Sequence, residues 1–385
     1  MSALMGMRRA RVAAAGVVLG GLLAAGCGSG SEGGSGKGGG EGDGAGDGIV
    51  ARDAEGAAAS GLVVVTGGNS QGAARPALLA FDPARATWDP KKDPRSVKWS
   101  FDPRKLSAYR DLDPARTWVE GPNEAKFYQL GGKKYVATVA GRGFAAVFEA
   151  GTKRRFWGAK LVAGSNAYAY NPHSIELLPT GEVVVASSGD KRGHAYAGRN
   201  LCLFPRKVSK GRCVTLPHAH GVSWDSRRNR LWALGNDRLV AYRIDRSAPG
   251  RPALVRDHGV VVPWPSGHDL SPVAGKPDRL WVVTGTPVYQ YDIGTRKFYG
   301  PGQAQSYPGA DRISPPPIKG KGGVKAVSSD PLTGRVLRNK AVPGRQTSQT
   351  ASLHLPDGVR RNLTYGGKPY YFYKARWVTP RDFDH

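Results

Sequence analysis

A sequence pattern returns about every 48 residues through most of this chain of 385 residues. Each unit begins with a polar residue, continues into a short apolar stretch, and reaches a second apolar stretch after a turn. The residues that begin the five units are Glu124, His173, His220, His268 and Lys325, at spacings of 49, 47, 48 and 57. A period of this length, built from three or four short strands, is typical of one blade of a β-propeller.

The residue content favours strands and turns over helices. Glycine contributes 54 residues and proline 28, whereas methionine contributes only 3. The glycines follow no three-residue period, which excludes a collagen-like chain, and turn-forming residues separate the apolar stretches. We therefore expect an all-β protein. A pair of β-sandwiches is the alternative to a propeller, because alternation within strands does not distinguish the two architectures.

The two ends of the repeat region predict how the propeller closes. Residues 61–101 contain three strand-like stretches, Leu62–Val65, Ala77–Phe81 and Val97–Phe101, which make an incomplete unit. The β-forming stretch Tyr370–Val378 near the C-terminus would supply the missing strand. Because a closed ring leaves no open sheet edge, we predict six blades, with five and seven as alternatives, in a single domain over residues 61–380.

The N-terminus predicts export and lipid attachment. Residues 1–26 combine three arginines with an apolar stretch that is too short to span a membrane. The stretch ends in Leu-Ala-Ala-Gly-Cys, which resembles the lipobox of bacterial lipoproteins, in which the cysteine (here Cys27) receives acyl chains such as palmitate. Residues 27–60 are rich in glycine, serine and acidic residues and predict a disordered tether. We expect an extracytoplasmic protein anchored to the cell membrane; an ordinary secretory signal with a chance cysteine is the alternative.

The remaining two cysteines are Cys202 and Cys213, which lie close together in the sequence. In an exported chain, two thiols at this spacing indicate a local disulfide. The spacing fits neither a Cys-x-x-Cys redox site nor a paired metal site.

The chain is strongly basic, with 56 lysines and arginines against 30 acidic residues and a net charge of +26. A field of this sign favours anionic partners, such as wall polymers, phospholipid head groups or acidic polysaccharide. The basic residues are scattered among turns, so a solvated basic surface is the alternative. No motif of a nucleic-acid-binding module is present, and we expect no nucleic-acid partner.

The histidines at the beginning of three units are the candidate functional residues. If that position begins the innermost strand of each blade, His173, His220 and His268 all lie at one mouth of the central channel. Three neutral imidazoles could bind a divalent metal such as Zn²⁺ or Mn²⁺, with Glu124 as a further ligand or acid/base group and Lys325 as a cation for an anionic substrate. Two alternatives remain: a ligand site without metal, and histidines that only tie strands together.

Four short strings indicate a resemblance to known proteins. They are N-P-H-S-I-E-L-L-P-T-G (171–181), A-H-G-V-S-W-D (219–225), L-W-A-L-G (231–235) and G-H-D-L-S-P (267–272). They resemble uncharacterised, secreted bacterial propellers of the YVTN/quinoprotein-like type, and the lipoprotein start is similar to those of high-GC Gram-positive bacteria. The resemblance implies the propeller fold and no established activity.

These observations leave three functional hypotheses. The first is a membrane-anchored propeller that binds a ligand, such as an anionic glycan or wall polymer, at its channel mouth. The second is a metal-dependent lyase or hydrolase of acidic polysaccharide that uses the three histidines. The third is a scaffold for another protein of the cell envelope. No cofactor is indicated apart from the divalent metal of the second hypothesis.

Overall fold

The computed structural model describes residues 61–68, 76–161, 171–189, 201–314, 323–367, 370–379 and 381–382. The predicted signal peptide, Cys27 and the tether lie outside these ranges. The strands in chain order are β1 (Val63–Gly68), β2 (Leu78–Phe81), β3 (Thr87–Trp88), β4 (Val97–Phe101), β5 (Pro122–Leu130), β6 (Lys133–Ala140), β7 (Phe144–Glu149), β8 (Arg155–Lys160), β9 (Pro172–Leu177), β10 (Val183–Ser187), β11 (Leu201–Phe204), β12 (Arg212–Val214), β13 (Gly221–Asp225), β14 (Arg230–Leu234), β15 (Arg238–Asp245), β16 (Ala253–Val261), β17 (Gly267–Val273), β18 (Lys276–Thr284), β19 (Val288–Asp292), β20 (Lys297–Tyr299), β21 (Val324–Ser329), β22 (Val336–Lys340), β23 (Thr350–His354), β24 (Arg360–Tyr365), β25 (Tyr371–Trp377) and β26 (Arg381–Asp382).

Helical segments are short and lie in the connections between strands. They are α1 (Pro114–Thr117), α2 (Ala310–Ile313) and the 3₁₀ segments Pro94–Ser96, Pro103–Lys105 and Ser107–Leu112. Within the described ranges, no helix is both long and apolar enough to cross a membrane.

The strands assemble into six sheets, which we number as blades 1 to 6 around the ring. Blade 1 contains β25, β1, β2 and β4, and blades 2 to 6 contain β5–β8, β9–β12, β13–β16, β17–β20 and β21–β24 in turn. The short strands β26 and β3 extend blades 2 and 6 by parallel pairing. The innermost strands pack side by side around the axis in the order β25, β5, β9, β13, β17 and β21, and β21 packs against β25. The prediction of a six-bladed propeller is therefore confirmed, and the β-sandwich alternative is wrong.

The C-terminal strand closes the ring as the sequence predicts. β25 pairs antiparallel with β1, from Val63 opposite Trp377 to Gly68 opposite Tyr371. Thr66 and Lys374, which lie 308 positions apart in the sequence, exchange hydrogen bonds across this pairing. The two ends of the repeat region thus form one blade, in which β25 covers the edge of β1 that would otherwise be open.

Apolar side chains between neighbouring blades form the core. Trp224 of blade 4 packs with apolar residues of blade 3, Trp232 of blade 4 with those of blade 5, and Trp281 of blade 5 with those of blade 6. All three are buried. Burial of a large apolar side chain contributes roughly 1.5–3 kcal/mol, so these tryptophans stabilise the contacts between blades.

The predicted disulfide is also present. Cys202 and Cys213 occupy opposite positions on the neighbouring strands β11 and β12, with their Cα atoms 4.0 Å apart and their sulfurs bonded. The bond therefore joins the two outer strands of blade 3.

Candidate functional site

The innermost strands share a β-bulge near the point where they begin. In β5, β9, β17, β21 and β25 one residue is left out of the pairing with the neighbouring strand. A bulge bends a strand locally and re-aims the side chain of the extra residue. In blade 4 the corresponding residue directly precedes β13, and its backbone N–H donates to Leu234 O at 2.9 Å. These six positions, which we call the mouth ring, are Asn123, His173, His220, His268, Lys325 and Tyr373.

Glu124 lies one position further along its strand than the repeat alignment predicted. Pro122 and Glu124 both pair with β6, whereas Asn123 does not, so Asn123 is the bulge residue of β5. Glu124 therefore lies deeper in the channel, where it bonds to Lys374 and lies close to Asp269. The alignment by residue type placed the charged side chain in the wrong register, because a bulge is not visible in a pattern of apolar stretches.

Tyr373 is a member of the mouth ring that the sequence analysis missed. It is the bulge residue of β25, where Thr66 pairs with Lys374 and Gly67 with Phe372. It follows Lys325 by 48 positions, which is the period of the repeat. Extending the alignment by one period would have found it.

The structure brings the three predicted histidines into contact. The imidazole rings of His173 and His220 are stacked, with ring centres 4.0 Å apart and planes 21° apart. The ring of His268 lies 5.0 Å from that of His220 at an angle of 35°. Side chains from three consecutive blades therefore form one continuous row of rings.

Polar groups fix the ends of this row. Lys325 Nζ lies 2.6 Å from His268 Nε2 and also donates to Gln346 Oε1. His173 Nδ1 lies 3.3 Å from the hydroxyl of Tyr373, and its Nε2 lies 3.1 Å from Ser188 Oγ. One end of the row is thus bonded to Lys325 and the other to Tyr373. His268 is half-buried, and Lys325, His173 and Tyr373 are buried.

The surroundings hold these imidazoles in the neutral form. Burial, followed by the neighbouring His220 and Lys374, lowers the pKa of His173 well below its usual value. Burial lowers the pKa of His220 to about 3, and burial together with Lys325 lowers the pKa of His268 strongly. At neutral pH the mouth ring therefore contains three uncharged imidazoles next to an ammonium group.

The row of rings does not have the arrangement of a metal site. Stacked imidazoles present their faces to each other, whereas ligands of one metal direct their nitrogen lone pairs at a common point. In the part of the chain that the structure describes, no group of three or more His, Cys, Asp or Glu side chains could hold a metal ion. The ammonium of Lys325 at His268 Nε2 also opposes a second cation there. The ring nitrogens instead bond to neighbouring protein groups, including Ser188, Tyr373 and Lys325.

A cluster of buried charges lies directly below the mouth ring. Lys374 Nζ donates to Glu124 Oε2 at 2.9 Å and to Asp269 Oδ1 at 3.1 Å. Arg376 bonds to the same two carboxylates, with Nε 2.9 Å from Glu124 Oε1 and Nη1 2.7 Å from Asp269 Oδ2. We call these four residues the central charge cluster. Both cations come from the closing strand, and the carboxylates come from blades 2 and 5.

The ionised forms of the cluster stabilise each other. Burial opposes ionisation of Glu124, but Arg376 and Lys374 outweigh it and hold the pKa of that carboxyl well below its usual range. The same two cations lower the pKa of Asp269 against the effect of burial. The carboxylates in turn raise the pKa of Arg376 well above its usual value despite its burial. The two carboxylates and the guanidinium of Arg376 are therefore charged at neutral pH.

A cavity lies at the opposite end of the innermost strands. Its volume is about 310 Å³, and its lining includes Lys126, Phe127, Ser271, Ser328, Arg376 and Trp377. Because Arg376 belongs to both the cavity lining and the central charge cluster, the cluster separates this cavity from the mouth ring.

Comparisons with known proteins identify a family without an assigned activity. No curated protein matches the chain. A crystal structure of a protein of unknown function from Bacteroides caccae aligns with 11% identity and a TM-score of 0.48, covering 83% of this chain and 99% of that chain. Sqt1 from Saccharomyces cerevisiae aligns with 14% identity and a TM-score of 0.37, covering 65% of this chain and 60% of that chain. Residues 91–301 match the model of a family of unknown function, DUF6528. This match spans more than half of the length of the chain, and the chain therefore belongs to the DUF6528 family.

Proposed function

We propose that this protein binds an anionic ligand of the cell envelope at the mouth ring, while a lipid on Cys27 anchors it to the membrane. An acidic glycan or a wall polymer is the class of ligand that fits the net charge of +26. The sequence likeness to secreted YVTN/quinoprotein-like propellers supports the proposed location, as does the lipobox-like string before Cys27.

The observation on which the proposal rests is the position of Lys325 Nζ beside the row of three imidazole rings. Lys374 and Lys325 both contribute to the lowered pKa of His173, His220 and His268. Burial is the larger cause of these shifts, and the two cations add to it; an anion bound beside Lys325 would be attracted by its ammonium. The six mouth-ring positions include no carboxylate. The carboxylates of Glu124 and Asp269, which lie below the ring, already form ion pairs with Lys374 and Arg376.

The side chains of the mouth ring provide specific contacts for an anion. The ammonium of Lys325 can neutralise a carboxylate, and His268, whose Nδ1 has no hydrogen-bond partner among the described residues, can donate its N–H to one of the carboxylate oxygens. A bound anion would also offset the charges that, together with burial, depress the histidine pKa values. We therefore expect these pKa values to be higher in the complex than in the free protein.

Isothermal titration calorimetry with tri-galacturonate, an acidic oligosaccharide, tests this proposal. The variant Lys325→Met removes the charge at the mouth ring, whereas Lys276→Met removes an exposed charge at the turn between β17 and β18, near the opposite end of the channel. We expect the first variant to weaken binding at least tenfold, which corresponds to one charge-assisted hydrogen bond, and the second to change it less than twofold.

Two outcomes would overturn the proposal. Equal losses in Lys325→Met and Lys276→Met would show that the anion responds only to the overall charge of the protein. Unchanged affinity in both variants would place the ligand elsewhere. Measuring the affinity at two salt concentrations distinguishes a contact with buried Lys325 from general attraction by exposed surface charges. Salt screens exposed charges more strongly than buried ones.

A further inference from the structure

A second group of basic side chains lies on blade 6, away from the channel. Arg338 of β22 lies opposite Ser352 of β23, and His354 of β23 lies opposite Arg360 of β24. Residues two apart on a strand point to the same face of a sheet, so these four side chains share one face. Arg312 of α2 covers this face, because Arg338 Nη1 donates to Arg312 O at 2.7 Å. We call Arg312, Arg338, His354 and Arg360 the basic cluster of blade 6.

The inner arginine of this cluster is buried without a carboxylate partner. The side chain of Arg338 is buried, with the residue 7% exposed. Its guanidinium donates to the backbone oxygens of Arg312 and Ile313 and to Ser352 Oγ, and its Nε has no hydrogen-bond partner among the described residues. Within the same ranges, none of the three arginines of the cluster forms an ion pair with an acidic side chain. A buried charge that lacks an opposite charge nearby destabilises the folded state.

The histidine of the cluster is also buried with unsatisfied polar atoms. His354 is 5% exposed, and within the described ranges neither of its ring nitrogens has a hydrogen-bond partner. Burial, followed by Arg338, Arg360 and Arg312, lowers its pKa to about 4. Burial also lowers the pKa of Arg338 to about 10. Native proteins satisfy the large majority of buried polar groups, so a face with three unsatisfied nitrogens and three guanidinium groups requires an explanation.

We propose that the basic cluster of blade 6 binds a small tetrahedral oxyanion, either inorganic phosphate or the terminal phosphate of a monoester. The unsatisfied Nε–H of Arg338 and one N–H of His354 would donate to its oxygens. Arg312 and Arg360, which are exposed, would approach it from the solvent side. Guanidinium groups bind phosphate through paired hydrogen bonds, and the bound anion would neutralise the buried charge of Arg338. The site is independent of the mouth ring, since it shares no residue with it.

Thermal unfolding with and without phosphate tests the proposal directly. The wild-type protein is melted in inorganic phosphate, in glycerol 1-phosphate and in a glycerophosphodiester, each against sodium chloride at the same ionic strength. We expect a rise in Tm of about 3 °C at a large excess of phosphate over its Kd. A monoester should act as phosphate does, whereas the diester should have no effect because it has no terminal phosphate group to insert.

Matched variants locate the effect. Arg338→Met should abolish the rise in Tm and should fold, because it replaces a buried unpaired charge with an apolar side chain of similar length. Arg360→Met changes only an exposed residue and should reduce the rise, while Lys276→Met, which removes an exposed charge of β18 outside both proposed sites, should retain it fully. In NMR spectra, phosphate should raise the pKa of His354 in the wild type. The proposal would be wrong if Arg338→Met kept the full rise, if chloride matched phosphate, or if the pKa of His354 did not move.

Discussion

Lys374 Nζ lies 3.1 Å from Asp269 Oδ1, although Lys374 belongs to blade 1 and Asp269 to blade 5, which are not neighbours in the ring. The same ammonium donates to Glu124 of blade 2 and to the backbone oxygen of His173 of blade 3. The strand that closes the propeller thus also connects blades across its axis. Two cations on that strand and two carboxylates on others make closure depend on charge pairing as well as on strand pairing.

Removal of the ammonium from the central charge cluster should weaken the whole propeller. Lys374→Met leaves two buried carboxylates with only Arg376 between them, and breaking a buried pair typically destabilises a protein by about 3–5 kcal/mol. We expect a loss of this size in the free energy of unfolding, measured by urea denaturation. Lys133→Met is the control, because the pair of Lys133 and Glu149 is exposed at the lysine and should contribute less than about 1 kcal/mol. Similar losses in the two variants would contradict a special role for the cluster.

The depressed histidine pKa values predict that stability falls in mild acid. The unfolded chain binds protons at its histidines near pH 6.5, whereas the folded mouth ring resists protonation, to about pH 3 at His220. The unfolded state therefore binds more protons in this window, and stability is lost as the pH falls from about 7 towards 3. His220 should account for roughly 1 kcal/mol between pH 7 and pH 5.5.

Urea denaturation at a series of pH values measures this loss. The variant His220→Gln removes one of the three groups and should flatten the slope between pH 7 and pH 5, whereas Glu124 and Asp269 act only in stronger acid. Their lowered pKa values make their stabilising effect complete above about pH 5 and progressively lost as the pH falls further. An identical slope in His220→Gln and wild type would contradict a neutral, buried imidazole at this position.

The disulfide should stabilise the edge of blade 3. Cys202 and Cys213 close a loop with a sequence separation of 11, for which the chain-entropy model gives roughly 3 kcal/mol. We expect reduction, or the double variant Cys202→Ser and Cys213→Ser, to lower Tm by a few degrees without changing the far-UV circular dichroism spectrum at room temperature. A melting curve that does not respond to reductant would refute this prediction.

Cys27 should determine where the protein is found in cells. The wild type should enter the detergent phase in a Triton X-114 partition of whole cells, and Cys27→Ser should move it to the aqueous phase, because the lipid would then be absent. Mass spectrometry of the mature N-terminal peptide provides an independent measurement. Wild-type protein that stays in the aqueous phase and retains residues 1–26 would exclude lipidation at this cysteine.

The fold could be predicted from the sequence more completely than the candidate site could. The period of about 48 residues and the β-forming C-terminal stretch were sufficient for six blades and for closure by β25, because both depend on patterns along the strands. Asn123 and Glu124 could not be assigned correctly, since the bulge that separates them is a property of strand pairing. Lys374 and Arg376 were missed for a related reason. Charged residues in a strand are normally expected at the surface, and only the ring brings them to their carboxylates.

NMR titration of the imidazole signals, with and without tri-galacturonate, tests most directly whether the mouth ring binds anions. The free protein should show His173 and His268 titrating well below the usual histidine pKa, and His220 titrating only near pH 3. With saturating ligand we expect at least one of the three to titrate one unit or more higher, and this rise to be absent in Lys325→Met. Titration curves for the three rings that are the same with and without ligand would contradict the account.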